Sequence, residues 1–428
     1  MKSRAKVFHY AGLEIEDDTV RAHYDLDGRA FIEEVRFEGV GSLDQPAVRE
    51  VAKLWYLLAG LSYYKAGAAL SVDVGATPLG QAGRALLEAS LVDGLGEFAY
   101  RNDLSLDDVT ITGGTEVTVQ PASLDARAVL TPFGGGIDSV VSVTQLSSAL
   151  DQALFIMSPA CGRFAPLEAT AAVTGLSVVR AQRTLDPQIL SPDEAFWHGH
   201  VPVTAMVTLL AVTAAVASGR GGVVMSNEHS ASEANLRWRD QDVNHQWSKS
   251  WVAEELLARA VAERIGEDFC VASFLRDRSE LWVAARFAEQ RDYHHVFRSC
   301  NRAFSHDVAT RPATWCGVCD KCLFINLVLA PFLSRAELRA IFHAEPLANP
   351  DLAEQLASLV GLGEHHKPFE CVGDPDESAV ALERVADMDV WSDVAALKEL
   401  ARRASPDRTF EELLEPQGPS RVPAHWFR

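Results

Sequence analysis

Pro132-Phe133-Gly134-Gly135-Gly136-Ile137-Asp138-Ser139 is the stretch on which the reading of this chain turns. It lies between an apolar run, Ala126–Phe133, that predicts a buried strand and a run from Ser139 to Leu150 that predicts a helix. Three glycines let the backbone turn tightly and bring N–H groups up to an oxyanion, and the helix N-terminus adds partial positive charge. Together these features make a phosphate cradle. Ser139 adds a hydroxyl donor, and Asp138 stands where it can orient backbone or help hold a magnesium ion. Two other phosphate signatures fail. The chain has no Gly-x-x-x-x-Gly-Lys-Ser/Thr. Gly94-Leu95-Gly96-Glu97-Phe98-Ala99 fits the dinucleotide pattern, but helical sequence precedes it, so it reads as a helix-ending turn.

Outward from the glycine loop, strands and helices alternate. Strands are expected at Ala153–Met157, Leu176–Val179 and Gly222–Met225, and helices at Pro166–Thr174 and Val201–Ser218. Such alternation implies crossover connections and a parallel sheet covered on both faces, with ligands at the carboxyl ends of the strands. Before residue 125 the pattern differs. Three runs, Val7–Ile15, Val20–Leu26 and Phe31–Phe37, are punctuated by acidic residues and Asp27-Gly28, and predict antiparallel strands; helical periodicity follows in Val48–Leu61 and Gln81–Leu95. The expected fold class is α/β, organised as an α+β domain over 1–125, a parallel-sheet nucleotide-binding domain with a metal site over 126–345, and a helical extension over 346–428.

Composition narrows the function. Of the 428 residues 48% are hydrophobic, enough for substantial cores, and the balance of 39 basic against 59 acidic residues, net −20, argues against a nucleic-acid partner and for small-molecule chemistry. No signal-like apolar segment follows Met1, and the longest uncharged stretch, Val201–Gly219, carries Pro202 and several threonines, as a buried helix rather than a membrane span does. The expectation is a soluble cytoplasmic protein.

Cys300, Cys316, Cys319 and Cys322 form the second signal. A Cys-x-x-Cys turn points two thiolates at one metal, and two further thiolates complete tetrahedral zinc without an open position, so the expected role is structural. The third signal is polar sequence just past the strand ending at Met225: Ser226-Asn227-Glu228, then Val243-Asn244-His245-Gln246-Trp247-Ser248-Lys249. Glu228 can bind magnesium or take a proton. His198-Gly199-His200 can also line the site, but two histidines one residue apart read as a loop feature more than a ligand pair.

Gly-Gly-x-Asp-Ser after a strand resembles the PP-loop ATP pyrophosphatase superfamily (adenine nucleotide alpha hydrolase-like fold), whose members cleave ATP between the α and β phosphates. Gly134 stands where that motif normally begins with serine. Leu58-Ala59-Gly60-Leu61-Ser62-Tyr63-Tyr64-Lys65, the loop at 133–139, the Asn227 and Asn244 segments, Trp315–Cys322 and Lys367-Pro368-Phe369-Glu370-Cys371-Val372-Gly373 together resemble the ATP-dependent UDP-N-acetylmuramoyl-L-alanyl-L-glutamate epimerases, the MurL type. The resemblance implies epimerisation of the terminal glutamate of a UDP-muramoyl dipeptide in peptidoglycan synthesis, with ATP, magnesium and a structural zinc. It implies ATP phosphates on Gly134, Gly135, Gly136, Asp138 and Ser139, and magnesium on Asp138 and Glu228. Lys65, Glu228 and Lys249 become catalytic candidates, and Tyr64, Asn227, Arg237 and Asn244 substrate contacts. Another PP-loop adenylating enzyme, forming an amide or nitrile or modifying a nucleoside, keeps the nucleotide site with a different acceptor, and a non-catalytic nucleotide-binding module keeps it without turnover.

Overall fold

The computed structural model describes residues 2–427 except 161, 194, 305–310, 313 and 363–366. Among them, twelve strands are present: β1 (Val7–Glu16), β2 (Thr19–Leu26), β3 (Arg29–Glu38), β4 (Ser71–Asp73), β5 (Thr110–Thr112), β6 (Asp125–Pro132), β7 (Asp151–Pro159), β8 (Ser177–Thr184), β9 (Arg220–Met225), β10 (Leu236–Trp238), β11 (Gln241–Val243) and β12 (Cys270–Ser273). Ten of these form one mixed sheet in the order β12-β9-β6-β7-β8-β3-β2-β1-β4-β5, while β10 and β11 form a separate hairpin.

β12, β9, β6, β7 and β8 run parallel. Their helices cover both faces, so adjacent side chains enter opposite cores. Leu130, Phe155 and Val223 pack on the face shared with the amino-terminal helices, whereas Val129, Leu154 and Val224 pack on the face shared with the carboxyl-terminal helices. This two-sided burial explains why these strands read as unbroken apolar runs. The helix Val203–Ala217 is apolar all round because it is buried against the sheet and the helix Pro46–Ala59. No described helix is long and apolar enough to cross a membrane.

The antiparallel meander β1-β2-β3 turns at Asp27-Gly28, both residues at positive φ (49° and 90°), the geometry a two-residue primed turn needs. The meander continues the parallel sheet: β3 pairs antiparallel with β8, from Glu34 opposite Thr184 to Glu38 opposite Arg180. Arg183 Nε lies 2.6 Å from the buried Glu33 Oε1 across this junction. Sheet and core therefore run continuously past residue 125. Local sequence pattern does not report a pairing between strands some 150 residues apart, so this junction is visible only in the folded chain. Gly94–Gly96 follows the helix Gln81–Val92, as expected of a helix-ending turn.

Candidate active site

From β6 the chain moves outward through β7 to β8, then returns to place β9 on the other side of β6. The connections leaving β6 and β9 diverge, and a crevice opens at their carboxyl ends, the topological switch point where open α/β sheets bind ligands. A cavity of about 300 Å³ occupies it, lined by Gly134, Gly136, Asp138 and Ser139 after β6, by Ser226 and Asn227 after β9, and by Lys249, Arg298, Lys321 and Cys371 from distant segments.

The glycines have distinct tasks. Gly135 adopts φ +73°, in the left-handed region, and its carbonyl accepts the Arg298 N–H at 3.2 Å. A Cβ on Gly136 would fall 2.5 Å from Ser299 Oγ, so the loop lies directly on the segment carrying Cys300, whereas a Cβ on Gly134 meets open space. Ser139 Oγ donates back to the Gly136 carbonyl at 3.1 Å.

A buried ion pair holds the β9 side. Arg276 lies 2.9 Å from Glu254, both nearly inaccessible, and its guanidinium also donates to the carbonyls of Glu228 (3.0 Å) and Lys249 (2.6 Å). One side chain thus ties the loop after β9 to the loop that presents Lys249. Ser273, at the end of β12, accepts the Asn227 N–H and donates to the Asn227 carbonyl at 2.7 Å.

Carboxylate oxygens of Asp138, Glu228 and Glu280 come within 4.8 Å of one another. Burial and the neighbouring Glu228 push Asp138 up to about 6 against the pull of Lys321 and Lys249, and burial also raises Glu280. Asp138 Oδ1 and Glu280 Oε2 are buried without a hydrogen-bond partner. Three hard oxygen donors crowded at like charge, two with unsatisfied lone pairs, fit a divalent cation such as magnesium. Glu280 gave no sequence signal: it begins an ordinary helix, Glu280–Ala288, capped by Ser279.

Cys300, Cys316, Cys319 and Cys322 converge with sulfurs within 4.8 Å, two pairs at 3.4 and 3.7 Å. Tetrahedral zinc with bonds of about 2.3 Å places its sulfurs about 3.8 Å apart, so the cluster fits such an ion with no open position. The cluster also serves the cavity. Arg298, Ser299 and Asn301 flank Cys300, Lys321 lies between Cys319 and Cys322, and all four line the crevice.

Cys371, in the segment 367–373, reaches the cavity and lies against Lys249 and His245. Burial alone would push its thiol up, but the Lys249 and His245 cations bring it down to about 6. Burial would likewise push His245 down; contact with Cys371 and with Glu97, whose Oε2 is 2.5 Å from Nδ1, holds it up at about 9. Lys249 is held charged above its ordinary value despite burial, by Cys371, Glu228 and Asp138.

Lys65 lies outside this cavity. It lines a neighbouring one of about 510 Å³ with Ser62, Arg183, His200 and several apolar side chains, and donates to the Gly199 carbonyl at 2.9 Å. Burial and Arg183 lower it to about 8. Thr204 and Val203, consecutive in the chain, line one cavity each, and the His200 and His245 rings meet at a tilt with centres 4.4 Å apart, so the two spaces adjoin. His200, in a loop as expected, lines the cavity that holds Lys65.

Tyr64, Asn244 and Arg237 line neither cavity. Tyr64 is fully buried among aromatic residues and donates to the Ala69 carbonyl, Asn244 closes a turn through Ala231 and Gln246, and Arg237 is exposed on the β10–β11 hairpin. Sequence reading passed over Glu97, Glu280, Arg298, Lys321 and Cys371. Lys321 and Cys371 were visible inside quoted motifs but carried no spacing of their own.

A mixed α/β sheet, a polar crevice at its switch point and a four-cysteine cluster beside it place the chain among α/β proteins with a ligand crevice and a cluster able to hold a metal ion. The chain belongs to the MurL family: residues 1–274 match the MurL N-terminal domain and residues 296–413 the MurL C-terminal domain. It is similar to proteins named UDP-N-acetyl-alpha-D-muramoyl-L-alanyl-L-glutamate epimerase. That of a Micromonospora species is 37% identical, covering 98% of this chain and 96% of its own. The Salinispora tropica protein is 36% identical (99% and 95%), and that of Xanthomonas oryzae 35% (98% and 96%). No solved structure matches the chain.

Proposed function

We propose that this protein inverts the terminal L-glutamate of UDP-N-acetylmuramoyl-L-alanyl-L-glutamate, consuming ATP and releasing AMP and diphosphate, in cytoplasmic peptidoglycan precursor synthesis. The observation that carries the reading is the switch-point cavity, where a glycine loop at a helix N-terminus meets three carboxylates and buried cations, in a chain similar over its whole length to named epimerases.

The chemistry explains the ATP. A free carboxylate opposes removal of the α-proton, because a second negative charge would build on the same few atoms. Conversion to an acyl-adenylate removes that charge and lets the carbanion delocalise into the acyl group. Backbone N–H groups of Gly134–Gly136 and the start of the helix Ile137–Gln145 bind the phosphates. Asp138, Glu228 and Glu280 hold the magnesium ion, which when bound neutralises phosphate charge. Lys249, Lys321 and Arg298 stabilise charge on the departing diphosphate. The four-cysteine cluster holds a structural zinc that fixes Lys321 and Arg298 in place. Lys65 faces the substrate from the adjoining cavity, and its lowered pKa of about 8 suits it to donate a proton near neutral pH.

The test is mass spectrometry of the dipeptide substrate after incubation with enzyme, ATP and magnesium in deuterated water. ATP-dependent gain of one deuteron at the glutamate α-carbon, with AMP, is the expected result. AMP formation without exchange would assign the fold a different acceptor.

A further inference from the structure

Resting on that reading, we infer that Cys371 is a proton-transfer residue of the epimerisation, its thiolate acting on the α-carbon with His245 and Glu97 as positioning residues.

The argument starts from the geometry of the intermediate. In an acyl-adenylate the α-carbon is one bond from the activated carbonyl carbon, which is itself joined through oxygen to the α-phosphate. A group that reaches the α-carbon from the phosphate side must therefore border the cradle, and Cys371 does so, in one small cavity with Gly134, Gly136 and Ser139. The other lining groups are poor bases. Lys249 is held charged, Arg298 cannot give up its proton, and the serine hydroxyls hold theirs. Asp138 shares its oxygen cluster with Glu228 and Glu280, and its buried, unpartnered Oδ1 shows that the cavity is built for a bound group. With Lys321 committed to the departing diphosphate in the proposed arrangement, this leaves the thiol among the described titratable lining residues.

The surroundings of Cys371 match that task. The imidazole of His245 lies against its sulfur and is fixed from behind by Glu97, buried 2.5 Å from Nδ1, which in turn meets Arg101 at 2.6 Å. Nucleophile, imidazole and orienting carboxylate stand in the order that activated cysteines share. Lys249 adds a second cation. A thiolate is thereby maintained at neutral pH at a partly exposed position on the cavity wall.

Each proton is accounted for. The Cα–H bond breaks as the Sγ–H bond forms, and the electron pair passes into the acyl group as an enolate. A proton delivered to the opposite face of Cα, by Lys65 in the proposed arrangement, completes inversion. Water then cleaves the mixed anhydride with AMP as leaving group, the thiol gives its proton to solvent, and Lys65 regains one from it. In the reverse direction the two groups exchange roles. No redox partner is needed.

The experiment compares the full-length wild type with Cys371→Ser, each given both glutamate diastereomers, ATP and magnesium in deuterated water, with α-deuterium and AMP measured together. The wild type is expected to label both diastereomers. Cys371→Ser should lose epimerisation by roughly 10²–10⁴-fold, keep labelling at most one diastereomer, and still form AMP. Epimerisation by Cys371→Ser within tenfold of wild type overturns the inference, as does joint loss of AMP formation and exchange in a folded variant, which would make the thiol part of adenylation. Should Cys371→Ser not fold, Cys371→Ala and iodoacetamide alkylation of the wild type apply the same criteria. A wild type without ATP-dependent exchange would instead overturn the proposed function itself, and this inference with it.

Discussion

His245 Nδ1 lies 2.5 Å from Glu97 Oε2, joining residues 148 positions apart, and the same imidazole rests on the sulfur of Cys371. Three segments that share no sequence pattern meet here, at the boundary between the two cavities.

The pair of shifts sets a pH window. Cys371, lowered from 9.0 to about 6, adds stability present above the unfolded thiol value and lost as pH falls through about 6; His245, raised from 6.5 to about 9, adds stability present below 6.5 and lost as pH rises through about 9. Thiolate and imidazolium therefore coexist between about 6 and about 9, within a field that also includes Lys249, Lys321, Glu370 and Asp138. Glu97→Gln should lower the imidazole value and narrow the window from its alkaline side. NMR titration of His245 in both proteins measures this; an unchanged midpoint would contradict it.

Removing a carboxylate from the crowded trio should relieve repulsion in the metal-free protein. Glu280→Gln is expected to melt no lower than wild type in EDTA, by differential scanning calorimetry. It should lose most of the upward shift in Tm that magnesium gives wild type, and AMP formation should require at least tenfold more magnesium.

The four cysteines should bind one zinc per chain, measurable by elemental analysis. Structural zinc sites of this kind carry apparent binding free energies of about 10–16 kcal/mol. Cys322→Ser should therefore purify without stoichiometric zinc and unfold at a markedly lower temperature. Because Lys321 and Arg298 ride on the same segments, residual folded protein should show weakened ATP binding.

Arg276 separates stability from positioning. Arg276→Met alone strands Glu254 as a buried charge and should cost about 3–5 kcal/mol in urea denaturation. Adding Glu254→Leu should recover much of that loss. It should leave kcat depressed, since the carbonyls of Glu228 and Lys249 have lost the donor they share.

The loop glycines should respond unequally. Gly135→Ala places a Cβ at positive φ, costing about 1–2 kcal/mol, and Gly136→Ala collides with Ser299. Gly134→Ser enters open space and should change stability by less than about 0.5 kcal/mol while adding a hydroxyl at the mouth of the cradle. Denaturation curves and KM for ATP would distinguish the three.

Whatever rests on local pattern could be read from the chain. The strand-loop-helix at 125–145, the hairpin at Asp27-Gly28, the buried helix at 203–217 and the cysteine spacing were legible because each depends on residues close in the chain. The family was legible because its motifs occur in order along most of the chain, from Leu58 to Gly373. Tertiary structure alone decided the junction of β3 with β8, which makes one sheet of what reads as two units. It alone brought Glu280 to Asp138 and Glu228, and Glu97 to His245 and Cys371. It also set Lys65 in a cavity beside the phosphate loop and drew Tyr64, Asn244 and Arg237 away from it. The physical reason is common to all of these. Burial and long-range packing choose which charges face one another, and such contacts leave no period or spacing in the chain, whereas turns, caps and amphipathic runs do.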